Sequence, residues 1–299
     1  AIRYAYPQLG DGLERIRDLL GGYRGAGGTD PVLVVHDAEA GRQRWAEVSA
    51  RAAGNLLPLE VAELGSLGMD QWLSALAFGA RRVLLLEAGT TPHRVLQELK
   101  AQLEFAGALL EGMGYPPAAL ALADTGNAAW LEPLDPEHAM PELPPAAYAC
   151  LDEKRTMIRF AVDHLWRQAP RQRPLINLPA GAPFGEVSLV DSRCTLCLAC
   201  VSQCPAKALL AGDDSPQLRF VEDNCIQCGL CARSCPENAI APSPRYLFDG
   251  PQRRKVRVLK EEAPFLCIRC GKPFATRSVI DKISGSLRGH PNFGTAQIR

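Results

Sequence analysis

Eight of the chain's eleven cysteines fall in two runs of identical spacing. Cys194-x2-Cys197-x2-Cys200-x3-Cys204-Pro205 is followed by Cys225-x2-Cys228-x2-Cys231-x3-Cys235-Pro236. Each cysteine recurs 31 residues later, as Cys194 does at Cys225, and Ala208 recurs at Ala239. Thiolates are soft donors, so such a density asks for a metal or a disulfide framework. Zinc takes four donors in two pairs, and disulfides belong to oxidising compartments. Neither accounts for a run of four copied whole. A tight CxxCxxC loop reaches three corners of a compact metal core, and the fourth donor has to come from elsewhere. The proline after each last cysteine, with no N–H and a fixed φ, turns the chain away from the metal. The repeat predicts two copies of one supersecondary unit related by a pseudo-twofold axis.

The spacing resembles that of the bacterial dicluster ferredoxins, over about residues 188–245, in the setting of a multidomain proteobacterial 4Fe–4S protein. The resemblance implies two [4Fe–4S] clusters, each taking three thiolates from one run and the fourth from the other. Carried onto this sequence, Cys194, Cys197, Cys200 and Cys235 would hold the first cluster, and Cys225, Cys228, Cys231 and Cys204 the second. Such clusters have no open iron corner for substrate, which favours one-electron relay. The implied role is an electron carrier, or the electron-transfer subunit of an oxidoreductase complex, working between a reductase and a larger oxidoreductase. By family association that acceptor would be a formate dehydrogenase-type molybdoenzyme system.

A further pair, Cys267-x2-Cys270-Gly-Lys-Pro-Phe274, has the form of half a zinc ribbon, with Gly271 letting the turn close on the ion. Its completion stays open between donors beyond Arg299 or on another chain, a site using His290 and one more ligand, and a plain thiol pair. The segment resembles the C-terminal part of dicluster-ferredoxin proteins that end in a second cysteine pair. With no initiator Met, the chain is expected to be a processed product or part of something longer. Cys150 reads as an isolated core or surface thiol.

The elements ahead of the cysteines alternate between apolar runs and helical patterns. Strands are predicted at Pro31–His36, Leu56–Val61, Arg82–Glu87 and Ala118–Ala123. Helices are predicted at Leu13–Leu20, Arg42–Ala53, Met69–Phe78 and Pro92–Glu111, the last with Thr91 as N-cap and Pro92 at the first helical position. This alternation indicates βαβ units and a flavodoxin-like parallel-sheet domain over 1–125. Leu64-Gly-Ser-Leu-Gly-Met-Asp70 and Leu73 to Leu86 resemble the iron–sulfur delta subunit of methyl-viologen-reducing hydrogenase. That family binds a cluster through cysteines after the third strand, where this chain has Glu87-Ala-Gly-Thr-Thr-Pro92. No cysteine occurs before Cys150, so the resemblance implies the fold and a docking role without a metal centre. No GxGxxG follows a strand, which disfavours a bound flavin or nucleotide.

Residues 126–187 read as a Pro-rich linker with one helix at Leu151–Gln168. A basic tail over 246–299 completes a multidomain α/β plus α+β chain. Arg245–Arg299 carries twelve Lys/Arg against four acids. Arg253–Lys260 has the alternation of an edge strand whose lysines discourage aggregation. A docking face for an acidic redox partner is the second reading, and scarce aromatics make nucleic acid the weakest.

The whole chain balances 33 Lys/Arg against 33 Asp/Glu over 299 residues, which excludes binding nucleic acid through bulk charge. No apolar run approaches the ~20 residues of a membrane span, and a cytoplasmic, reducing location is expected. The five histidines (His36, His93, His138, His164, His290) stand beside no recognisable nucleophile, so catalysis by this chain alone is not expected. Two other functional readings remain: an iron–sulfur maturation or redox-sensing module docking a client protein, and a flavin-linked reductase subunit.

Overall fold

In the computed structural model, residues 9–123, 128–131 and 135–288 are described. The chain divides into two compact units, Ala1–Arg173 and Pro174–Arg299. No described helix is long and apolar enough to cross a membrane.

The first unit begins with α1 (Leu9–Gly25), β1 (Val32–Asp37), α2 (Ala40–Val48), β2 (Leu56–Val61), α3 (Met69–Ala77) and β3 (Arg82–Leu86). It continues through α4 (His93–Met113), β4 (Leu120–Ala123) and α5 (Lys154–Arg167). The four strands form a parallel sheet in the order β2-β1-β3-β4, with Val32 opposite both Leu56 and Arg82, and Val83 opposite Leu120. Every residue of β1 is buried, as is β3 beyond Arg82. A central parallel strand covered on both faces gives that unbroken apolar run. Leu13, Ile16 and Leu20 form the buried stripe of α1 at helical spacing, and all of α3 is interior.

Helix α4 differs from expectation at its start: Pro92 is the N-cap and His93 the first helical residue. The turn before it is closed by Glu87, whose Oε1 accepts the Gly89 and Thr91 N–H groups at 2.8 and 3.2 Å. With the Thr91 N–H engaged by Glu87, Thr91 belongs to that turn. The helix ends at Gly114, where φ is +84°. The expected second helix is shorter, Ala40–Val48, followed by a 3-10 turn at Ser49–Arg51.

The expected linker over 126–187 is no separate segment; its described residues are shared between the two units. Met140 N–H bonds to Arg81 O and Ala146 N–H to Ala77 O, both at 2.8 Å, while Tyr148 packs on Phe78. Helix α5, capped by Glu153 onto the Arg155 and Thr156 N–H groups, lies against α3. Tyr115 donates to Leu165 O at 2.9 Å, and burial raises its phenol to about 12. Prolines prevent a ladder here, yet the N–H groups between them bond singly to the domain.

The second unit holds β5 (Leu175–Asn177), β6 (Gly185–Leu189), α6 (Ala199–Ser202), β7 (Leu209–Ala211), β8 (Gln217–Phe220), α7 (Leu230–Arg233) and β9 (Ile240–Leu247). After these come α8 (Gly250–Arg254), β10 (Arg257–Glu261), β11 (Pro264–Leu266), β12 (Pro273–Thr276) and α9 (Arg277–Leu287). One sheet runs β5-β9-β6 and another β10-β8-β7, both antiparallel, with β11 and β12 as a hairpin. The expected boundaries at 187/188 and 245/246 therefore cut through strands: β6 pairs along its whole length with Ile240–Pro244 of β9, Gly185 opposite Pro244, and the rest of β9 pairs with β5. Of the expected edge strand over Arg253–Lys260, only the part from Arg257 lies at a sheet edge, Arg257 opposite Phe220, while Arg253 and Arg254 belong to helix α8. Several of its cations are matched internally rather than presented outward: Arg253 by Asp223, Arg257 by Glu186 and Glu222, and Lys260 by Glu262.

Candidate iron–sulfur site

The sequence repeat is also a conformational one. Helix α6 spans Ala199–Ser202 and α7 Leu230–Arg233, the same four positions 31 residues on. Left-handed backbone recurs in step: Leu196 and Gln227 (φ 55° and 54°), Leu198 and Gly229 (57° and 73°), Lys207 and Asn238 (50° and 48°). Each CxxCxxC loop thus turns its backbone the wrong way for an L-residue at both inter-cysteine positions. Gly229 and Asn238 tolerate that conformation; Leu196 and Leu198 store strain in it.

The turns bring the thiols into two sets. One cavity is lined by Cys194, Cys197, Cys200 and Cys235. The other is lined by Cys225, Cys228, Cys231 and Cys204. The fourth cysteine of each run lies in the cavity formed by the other run. Apolar side chains complete both walls, with Leu218 and Ile240 in the first and Val187 and Phe220 in the second. Ala239 N–H donates to Cys235 Sγ at 3.3 Å and Ala208 N–H to Cys204 Sγ at 3.2 Å. The crossing cysteines therefore receive matched backbone donors. All eleven cysteines are free thiols.

Burial and neighbouring thiols disfavour ionisation in both sets. Burial pushes the Cys200 thiol up to about 12, and Cys194, Cys231, Cys197 and Cys235 add to the rise. Cys231 is raised first by burial, then by Cys225, Cys228 and Cys204, against an N–H bond from Ala232. Cys194 is raised first by burial, with Cys197 and Cys235 contributing against Leu196 N–H and Lys260. Thiols crowded in an apolar wall ionise only around a strong positive charge, which a metal core provides. Among the described residues, no three His, Cys, Asp or Glu side chains converge on one ion position. Four thiols around a cavity suit a core larger than one ion. Soft donors, matched N–H groups and apolar walls all fit an iron–sulfur cluster.

Two polar features escaped the sequence reading. Arg245 donates to Glu222 through Nε (2.9 Å) and Nη2 (2.6 Å) and to Glu186 through Nη1. Arg257 Nη2 reaches Glu222 at 3.1 Å and Glu186 at 3.2 Å. This net joins β6, the turn before Cys225, β9 and β10. Its residues lie up to 71 apart, too far for any local pattern. The second feature is Gln227, whose Nε2 donates to Cys225 Sγ at 3.3 Å; the signal for it was Leu196 standing 31 residues earlier.

Cys267 and Cys270 lie at the turn of the β11–β12 hairpin. Cys267 N–H bonds to Lys272 O, Gly271 N–H returns to Cys267 O at 2.8 Å, and Gly271 has φ +69°. Backbone N–H groups of Arg269, then Cys270, then the Cys270 side chain hold the Cys267 thiol below the usual range. His290 lies outside the described residues. Cys150 accepts a 3.6 Å contact from Arg17 Nη1, and burial raises its thiol.

In the first unit, Asp37 Oδ1 accepts the Glu39 and Gly41 N–H groups at 2.9 and 3.0 Å. A phosphate cofactor at this first βα turn would need those donors. Of the described histidines, His36 bonds with Asp37 O and His164 with Pro144 O.

Two crossed four-thiol cavities on a duplicated ββ framework define an iron–sulfur domain of the ferredoxin kind. Residues 193–240 match the family described as 4Fe-4S dicluster domain. No curated protein matches the chain. A domain of this family points to an electron-transfer role.

Proposed function

We propose that the protein relays single electrons through two [4Fe–4S] clusters, one held by Cys194, Cys197, Cys200 and Cys235, the other by Cys225, Cys228, Cys231 and Cys204. The observation that carries this reading is the lining of each cavity by three thiols of one run and the fourth of the other. Bound there, the clusters supply one-electron redox chemistry, with every iron corner taken by protein. The chain's own part is to hold and shield. Ala208 and Ala239 N–H steady the crossing thiolates. Val187, Leu218, Phe220 and Ile240 keep water from the walls. Cys197 and Cys228 are exposed, so each cluster would have one edge near the surface for electrons to enter or leave.

The partners are protein redox centres, a reductase on one side and a larger oxidoreductase, of the formate dehydrogenase type, on the other. The location is the cytoplasm, and the chain itself is not an enzyme. The first unit, whose order β2-β1-β3-β4 repeats the start of the flavodoxin-like order, serves as a docking module. Asp37 and Glu87, filling the turns after β1 and β3, favour that over a bound flavin or nucleotide. The Cys267/Cys270 knuckle is half a zinc site.

Iron counts on double variants test the crossing. Cys197→Ala with Cys235→Ala should leave one intact, dithionite-reducible [4Fe–4S] signal, because both residues serve one cluster. Cys228→Ala with Cys235→Ala should abolish both signals. The reverse pattern refutes crossed ligation, and a wild-type iron content far below about eight per chain refutes two cubes.

A further inference from the structure

The two cavities are related residue by residue, so the places where the relation fails are informative. At the cavity walls three differences change polarity: Thr195 corresponds to Ile226, Leu196 to Gln227, and Glu237 to Ala206. Of these, only the Gln227 side chain is hydrogen-bonded to a cysteine sulfur, through Nε2 to Cys225 Sγ at 3.3 Å. The same nitrogen donates to Glu186 O at 2.8 Å, which fixes the amide's orientation, since its oxygen would repel both that carbonyl and a thiolate. Room for it comes from Gly185: a Cβ there would lie 2.7 Å from Gln227 Nε2 and 2.3 Å from Ser243 O. At the corresponding place in the first run, Leu196 is buried and apolar. Glu237 borders the first cavity, and Lys282 matches its charge.

A donor to a ligating sulfur stabilises the more negative, reduced state more than the oxidised one, so it raises the reduction potential. We infer that Gln227 makes the two clusters unequal, raising the potential of the one held by Cys225, Cys228, Cys231 and Cys204, so that a single electron in this protein rests there. This deepens the proposed relay and depends on its cluster assignment. Gln227 acts through Cys225 as a positioning residue. In the transfer it biases, one electron leaves the Cys194-side cluster, which is oxidised, and enters the Cys225-side cluster, which is reduced. No proton or third reactant is needed, and the first electron comes from the donor protein. The partition of that electron should favour the Gln227 side by a factor on the order of ten.

The test is an anaerobic redox titration of the iron-loaded full chain, with dithionite as reductant and EPR as readout. The wild type should reduce in two steps. Gln227→Leu, which copies Leu196, should lower the upper step alone. Gln227→Met keeps the side chain's length while removing the donor and adding no charge, and should do the same if the leucine variant loses iron. Cys197→Ala, which deletes the other cluster, should retain the upper step. Two intact clusters whose potentials do not move in Gln227→Leu or Gln227→Met, or move equally, overturn the inference while leaving the relay standing. Wild-type protein without two cubes overturns the relay itself.

Discussion

Glu222 precedes the second cysteine run and is almost wholly buried, its side chain 4% exposed. Arg245 grips both of its oxygens and Arg257 reaches one of them, while Glu186 takes the remaining contacts of the same two guanidiniums. The four charges cancel. Glu222→Ala leaves two arginines facing one carboxylate. Breaking a buried pair by deleting one partner costs ~3–5 kcal/mol. Arg257 is one-third exposed and can turn toward water, which places the expectation near the lower end, about 3 kcal/mol. Glu186→Ala removes a carboxylate with 24% exposure and leaves the two-pronged Arg245–Glu222 contact intact, so about 1 kcal/mol is expected. Urea unfolding of iron-loaded protein, followed by visible cluster absorbance, reads both. The midpoint should fall with an unchanged slope. A Glu222→Ala loss below about 1 kcal/mol, or a larger loss for Glu186→Ala, would mean that the net does not clamp the second run.

Asp70 lies inside the first unit with Oδ2 unpartnered among the described residues, and burial raises its carboxyl above the ordinary value against a pull from Lys154. A raised folded-state value favours the protonated form, so its contribution is present at low pH and lost as pH rises through that value. Asp70→Asn should therefore gain on wild type in urea midpoint as pH climbs from about 4, and a constant gap would refute the assignment. Gly114→Ala puts a side chain at φ +84° and within 3.0 Å of Arg171 Cγ, for a loss of about 1–2 kcal/mol by thermal unfolding. Gly22→Ala in α1, where a Cβ meets nothing within 4 Å, should instead gain about 0.5–1 kcal/mol. Thr276 caps α9 through Val279 N–H and donates to Thr195 O at 3.0 Å, so Thr276→Ala should cost about 1–2 kcal/mol by urea unfolding.

The sequence was most legible where local chemistry leaves little choice. The apolar runs at Val32, Leu56 and Arg82 became parallel strands within a residue or two of expectation; β1 and β3 are buried because the sheet is covered on both faces, while β2 is a half-buried edge. Near Pro92 the reading slipped by one residue, since the Glu87 carboxylate closes the preceding turn from the end of β3. Domain edges were read less well. Proline density over 126–187 suggested a linker, whereas Met140 and Ala146 bond to the first unit and Gly185–Leu189 is a ferredoxin-side strand.

Spacing and repetition by themselves determined that eight thiols form two equivalent loops, because turn geometry and the 31-residue period are local properties of the chain. The family resemblance implied that Cys235 joins the Cys194 set and Cys204 the Cys225 set, and the fold brings those thiols to shared cavities. Tertiary structure alone decided that Arg245 and Arg257 knit four distant segments around Glu222. Those contacts depend on where separate strands lie in space, and no local window of sequence contains both partners.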